Sequence, residues 1–184
     1  MNTTFPDEYY KKVINVLLSQ ADSLETKKDP EKTMTLTLEL LSHFLNLNNG
    51  RIFLWDTESE NLVIRYSYGL SKQQINVGKY QISEGITGEV LETGRPALVN
   101  NIGDEPIYKG KVTSAGPSTY KPSSYIAIPI SDDGCDLGVL AVDCYNTADG
   151  DMEAYGLVLK LVAEMLGKII HTYELNEFNL YNAA

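Results

Sequence analysis

Histidine and cysteine are scarce in this 184-residue chain, with two of each, and that scarcity excludes whole classes of chemistry. His43 and His171 stand far apart, and Cys135 and Cys144 fall in no metal-ligand or redox spacing. A metal centre needs convergent ligands, and a hydrolytic site needs a nucleophile beside its base, so neither is expected. His43, next to Phe44 on a helix, is expected to be packed or at the edge of the core, and His171 to lie exposed or at a subunit contact. The start, "MNTTFPDEYY", has no basic region and no apolar run. It predicts no export, so the cysteines are expected to be free thiols in a reducing cytoplasm. Positive charge is also short. Fifteen lysines and arginines against 25 acids leave a net charge of -10. That argues against a nucleic-acid surface, because phosphates are neutralised by clustered Lys and Arg. Long apolar runs are missing too: "GLVLKLVAEMLGKII" is broken by Lys160, Glu164 and Lys168 and is too short to span a bilayer. The glycine-rich "GITGEVLETG" matches neither a G-x-x-x-x-G-K-[ST] nor a G-x-G-x-x-G phosphate loop. Thr87 is its only nucleophile-like group, with no histidine nearby to activate it. Those glycines are expected to shape the backbone.

What is present is an ordinary domain, with 43% hydrophobic and 22% charged residues, long enough to bury a real core. From Pro6, an apolar stripe of Tyr10, Ile14, Leu17, Ala21 and Leu24 predicts a helix that "KKDP" breaks. Asp29 can cap a second helix with Pro30 at its first position. Met34, Leu38, Leu41 and Leu45 give its buried face, and "NNG" its end. "RIFLWD" and "NLVIRYSYG" flank "TESE" as a hairpin, and "GKYQIS" is a third strand. Ser83 can cap a short helix carrying Ile86 and Val90, with Gly94 at its stop. "PALVN" follows as a strand. "SYIAIPI" and "CDLGVLAVDCY" form a second hairpin through "SDDG", and an amphipathic helix runs from Asp151 to about Phe178. Hairpins dominate and helices sit at both ends, which predicts an α+β fold with a largely antiparallel sheet. "YIAIPI" has little alternation and is expected to be buried on both faces.

Three features point to a function. The connection 101–124 has no clear period, and from Pro106 to Ser124 it holds Lys109, Lys111 and Lys121 with no acid, besides Tyr108 and Tyr120. Long irregular loops in compact domains are often binding loops, and a basic, hydroxyl-rich, aromatic one suits a small polar or anionic ligand. Asp143 is an acid inside the apolar strand "LAVDCY". A buried carboxylate needs a partner, so it points into a polar pocket or ends the strand at the surface. The last helix carries Val158, Val162, Met165 and Ile169 at four-three spacing, widened by Leu157, Leu161 and Leu166. That face exceeds what one sheet needs and predicts a homodimer through the terminal helices.

The stretches "LNLNNGRIFLWDTESENLVIRYSYGLS", "EGITGEVLETGRPALVNNIGDEPIY" and "SYIAIPISDDGCDLGVLAVD" resemble a GAF domain. Within that family the chain is most similar to the N-terminal sensor domains of sigma-54-dependent activators of the nitrogen-fixation regulator type. The resemblance implies a PAS-related, six-stranded antiparallel sheet with the terminal helices on one face and a ligand pocket on the other. It implies that the loop 101–124 and the short helix after Ser83 form the pocket lid. Tyr125, Ala127, Ala141 and Asp143 would point into the pocket, with Tyr80, Ile102, Tyr108, Lys109, Lys111 and Tyr120 completing the ligand-facing set. It further implies an N-terminal helix over 1–28, a sensor domain over 29–148 and a C-terminal signalling helix over 149–184. The chain departs from the enzymatic branch of the family, which reduces free methionine sulfoxide with pocket cysteines: Thr87 stands where one would be, and 101–124 holds none. Neither a cyclic-nucleotide motif nor a chromophore cysteine or haem histidine is placed, so no cofactor and no enzyme activity are expected. The expectation is a cytoplasmic small-molecule sensor coupled to an output domain, with a dicarboxylate such as 2-oxoglutarate suited to the lysines. A sensor of a histidine kinase, response regulator or cyclic-nucleotide signalling protein, and a dimerisation scaffold with a vestigial pocket, are the alternatives.

Overall fold

The computed structural model describes residues 11, 15, 30–45, 47, 49–145 and 149–182. The expected first helix lies outside them except for Lys11 and Asn15, which are both helical. The proposed Asp29 cap also lies outside the described residues. The elements that follow are α1 (Pro30–Leu45), β1 (Asn49–Asp56), β2 (Asn61–Tyr68), α2 (Lys72–Val77), β3 (Lys79–Tyr80) and α3 (Gly85–Thr93). After them come β4 (Ala97–Val99), α4 (Lys111–Ser114), β5 (Ser124–Asp132), β6 (Cys135–Cys144) and α5 (Asp149–Asn182).

The six strands form one sheet in the order β3-β2-β1-β6-β5-β4, and every neighbouring pair is antiparallel. The β5–β6 turn places Asp133 and Gly134 at φ 48 and 80, the two positive values that a two-residue type I′ hairpin requires. Strand parity then splits the side chains into two layers. Ile52, Ile126, Ile128, Ile130, Leu140 and Val142 face one core with Met34, Leu38, Leu41 and Leu45 of α1 and Val158, Leu159, Val162, Leu166 and Ile170 of α5. Phe53, Tyr125, Ala127, Val139 and Ala141 face a second core with Tyr80, Ile86, Val90, Leu91 and Val112. The strand "YIAIPI" is accordingly buried on both sides.

Several local expectations change. "NNG" does not simply end α1: Asn49 and Gly50 open β1, pairing with Asp143 and Val142. A Cβ on Gly50 would lie 3.1 Å from Leu38 Cδ2, so the glycine lets α1 sit close to the sheet. The third strand shrinks to two residues. Ser83 is not the cap of α3; that position is Glu84, while Ser83 adopts φ 65. The cap makes no side-chain hydrogen bond to the helix. Glu84 Oε2 instead accepts from the backbone of Gln81, which closes the turn before the helix. Gly94 does supply the left-handed stop, at φ 62. α2 was missed, although "SKQQ" carries its start: Ser71 and Gln74 form a reciprocal capping box. The connection 101–124 contains a short helical turn, α4, and Gln74 Nε2 donates to the Val112 carbonyl in it at 3.3 Å.

Along α5, Leu157 and Leu161 turn outward, 69% and 48% exposed. The helix lies close against β5 at Gly167, where a Cβ would come 2.4 Å from the Ser131 carbonyl oxygen. His171 is half-buried: its Nδ1 lies 2.9 Å from Asp132 Oδ2 and ties α5 to the β5–β6 hairpin. Asp133 joins these two in a group within mutual ligand distance.

Candidate functional site

The face of the sheet away from α1 and α5 carries charge in its core. On β1 the parity that turns Ile52 toward the helices turns Arg51 and Phe53 the other way. Arg51 pairs across to Ala141 of β6, Ala127 pairs with Ala141 from the other side, and Asp143 pairs with both Asn49 and Tyr125. The two small alanines leave room for the guanidinium, and Asp143 lies one pleat further along β6. Both charges are enclosed, with Arg51 2% and Asp143 0% exposed. Arg51 Nη1 donates to Asp143 Oδ2 and Nη2 to Oδ1, a fork-to-carboxylate pair. The Tyr120 hydroxyl donates to the same Oδ2. Arg51 Nε finds no acceptor among the described residues.

Aromatic rings wall this pair. The guanidinium carbon lies 5.2 Å from the Tyr125 centroid and 6.0 Å from that of Phe53. Tyr108 meets Tyr125 edge-on at 5.5 Å, and Tyr80 meets Phe53 edge-on at 5.6 Å. Two of the hydroxyls are spoken for: Tyr125 bonds Thr87 at 2.9 Å, and Tyr108 bonds Thr113 at 2.6 Å. Thr87 thus meets a phenol rather than a base. Beyond Tyr120 opens a cleft of about 280 Å³ lined by Pro117, Thr119, Tyr120 and Tyr145.

Of the residues expected from the sequence, Tyr80, Tyr108, Tyr120, Tyr125, Ala127, Ala141 and Asp143 gather on this face, with Ile102 packed against its core. Lys111 is turned aside. Its Nζ pairs with Glu84 at 2.6 Å, donates to the Lys79 carbonyl at 2.6 Å, and sits 4.7 Å from the Tyr80 centroid. Lys109 is exposed, its stem lying where a Cβ on Gly85 would meet it at 2.9 Å. Sequence reasoning missed Arg51, the cation that meets Asp143. The available signal was parity: an arginine two before Phe53 in an otherwise apolar strand needs a buried acid on a neighbouring strand. Neither cysteine serves this face, since Cys144 lies in the helix-side core and Cys135 is exposed.

Burial disfavours the guanidinium charge, but the Asp143 carboxylate outweighs it and holds Arg51 above its ordinary value. The phenols of Tyr80, Tyr108, Tyr120 and Tyr125 are all raised, first by burial. Raised phenols leave stability intact below pH 10, the ordinary phenol value, and remove it above, where unfolded phenols ionise and folded ones do not. Each raised phenol adds to the loss, so stability is expected to fall progressively as the pH climbs above 10. Urea titrations between pH 9 and 11.5, with tyrosinate absorbance followed in parallel, test this. Ionisation of these phenols ahead of unfolding would contradict it.

The family model described as GAF domain matches residues 27–171. The chain is 28% identical over 165 residues to the Nif-specific regulatory protein of Azospirillum lipoferum, covering 87% of this chain and 26% of that one. The chain thus spans about a quarter of the length of the first curated relatives it matches. Among solved structures, the A. aeolicus nlh2 GAF domain in an inactive state superposes with a TM-score of 0.74 at 23% identity, covering 89% of this chain and 98% of that one. The free methionine-R-sulfoxide reductase of Neisseria meningitidis, in complex with its substrate, superposes with 0.75 at 21% identity, covering 96% and 98%. In the described residues no helix is long and apolar enough to cross a membrane.

Proposed function

Because the chain belongs to the GAF domain family, we propose that it is the small-molecule-sensing regulatory domain of a longer transcriptional regulator of the sigma-54-dependent, nitrogen-fixation type. Its ligand, a small polar metabolite, binds on the Arg51 face beneath 101–124, and α5 passes the change to an output domain. The observation that carries this reading is the enclosed Arg51–Asp143 pair under the lid segment. A domain core gains little stability from a buried ion pair over apolar residues of the same size, so such a pair with a ring of polar aromatics favours a recognition role. The name of the Azospirillum relative supports the regulatory context.

Coupling needs a part that both sites touch. β5 is that part. Its Tyr125 and Ala127 pack in the core on the Arg51 face, while Ile126, Ile128 and Ile130 of the same strand pack in the core shared with α5. A ligand that prefers one position of β5 therefore biases the seat of the helix. Differential scanning fluorimetry against a metabolite panel is the test: a ligand at a hundred times its dissociation constant adds about 2.7 kcal/mol. If no compound shifts the melt, and Asp143→Ala leaves transcriptional output unchanged in the full-length regulator, the sensing role falls.

A second reading is a dimerisation scaffold with a closed pocket, which the outward Leu157 and Leu161 favour. It predicts a concentration-independent dimer by sedimentation with no response to any metabolite, and a Leu157→Glu/Leu161→Glu variant that is monomeric.

A further inference from the structure

The charge count at the pair selects the kind of group that can be bound. Arg51 and Asp143 neutralise each other inside the fold. Lys111 is already paired with Glu84, and Lys109 is exposed. A second carboxylate brought to the pair would therefore meet a guanidinium already neutralised and would face Asp143 across it. Like charges sharing a buried site are strongly disfavoured. What the pair lacks is an acceptor. Arginine presents five N–H donors in a fixed fork; Asp143 takes the Nη edge, and Nε is left without a hydrogen-bond partner among the described residues. Burying a donor without a partner is costly, and a neutral oxygen supplies the partner without adding charge. The flanking rings of Phe53, Tyr108 and Tyr125 suit a planar group. Tyr120 stands between the pair and the 280 Å³ cleft: its hydroxyl holds Asp143 while its ring lines the cleft.

We infer that Arg51 Nε is the recognition donor for a small, uncharged, planar ligand bearing a carbonyl or amide oxygen, admitted from the cleft when Tyr120 swings away from Asp143. This rests on the sensing role proposed above and narrows its ligand. Asp143 sets the charge selectivity and stays in place. The site disfavours a carboxylate at its buried end, so a dicarboxylate does not fit there.

Isosteric pairs of compounds at matched ionic strength test it, using the 184-residue chain with benzamide against benzoate and nicotinamide against nicotinate. The amides are expected to raise the melting temperature saturably and to move the Arg51 Nε–H signal in proton–nitrogen spectra, and the acids to do neither. Asp143→Asn keeps the shape and removes the negative charge, so preference should turn toward the acids by about tenfold, the scale of one charge-assisted bond. Arg51→Met/Asp143→Leu, which replaces the whole pair with apolar groups, should bind neither. Preference for the acids in the unmodified chain, an unchanged Nε–H signal, or no binding of either compound to the unmodified chain and Asp143→Asn overturns the inference. The sensing role is judged separately. Amide binding that moves Nε–H without altering output in a full-length regulator would keep the site and remove the sensing. A metabolite whose effect survives Arg51→Met/Asp143→Leu would do the reverse.

Discussion

Asp143→Ala is expected to destabilise the chain by about 3–5 kcal/mol, whereas Arg51→Met/Asp143→Leu should be nearly neutral. The single change leaves the Arg51 guanidinium fully enclosed without its counter-ion, and it takes away the acceptor of Tyr120. The whole cost of a desolvated charge then falls on the folded state. The double change removes both charges and fills the volume between Phe53, Tyr125 and Ala141 with apolar atoms, which suit a core that already holds Val139 and Tyr80. Urea unfolding with an unchanged slope would report the difference as a stability change alone. A single variant within 1 kcal/mol of the parent would mean that water reaches the pair and that the site is open in the resting state. A double variant as unstable as the single one would mean that the pair organises the face rather than merely occupying it.

Gly88→Ala is the second large effect, expected at about 3 kcal/mol, the upper end of the overpacking range. A Cβ there would lie 2.3 Å from the Gln81 carbonyl oxygen and 3.0 Å from the Ser83 nitrogen. Both are backbone atoms of the tight turn that leads into α3, so no rotamer change relieves the clash. The turn is already constrained, with Ser83 and Gly85 both at positive φ, 65 and 63. Displacing α3 would also carry Thr87 away from Tyr125. Loss of stability should therefore come with changed tyrosine fluorescence, and Glu89→Ala, on the exposed side of the same helix, should show neither. A Gly88→Ala chain as stable as the parent would show that the turn can open and that α3 is not clamped to it.

The glycine-rich stretch illustrates what a sequence pattern settles. Its mismatch to every phosphate loop was decidable from spacing alone, and the left-handed stop at Gly94 followed from glycine's lack of a Cβ. The clamp at Gly88 was not legible, because it depends on where the chain five to seven residues earlier returns in space. The same division runs through the site. Asp143 stood out because an acid in an apolar strand must find a partner. Lys109 and Lys111 drew attention because local charge is visible in one dimension, yet Lys111 is spent on Glu84 at the rim. Arg51 went unnoticed because its partner lies 92 positions away, joined only by the register of β1 on β6.

The α+β class, the hairpins and the buried faces of α1 and α5 were set by residue periodicity and local turn chemistry, which act over a few positions, and family membership by the likeness of whole stretches of sequence to the family. Which cation meets Asp143, which donor is left without an acceptor, and which tyrosine closes the cleft were decided only by tertiary structure. Sheet register brings distant residues within a few ångströms, and in a desolvated core a single charge or a single unpaired N–H outweighs every local preference.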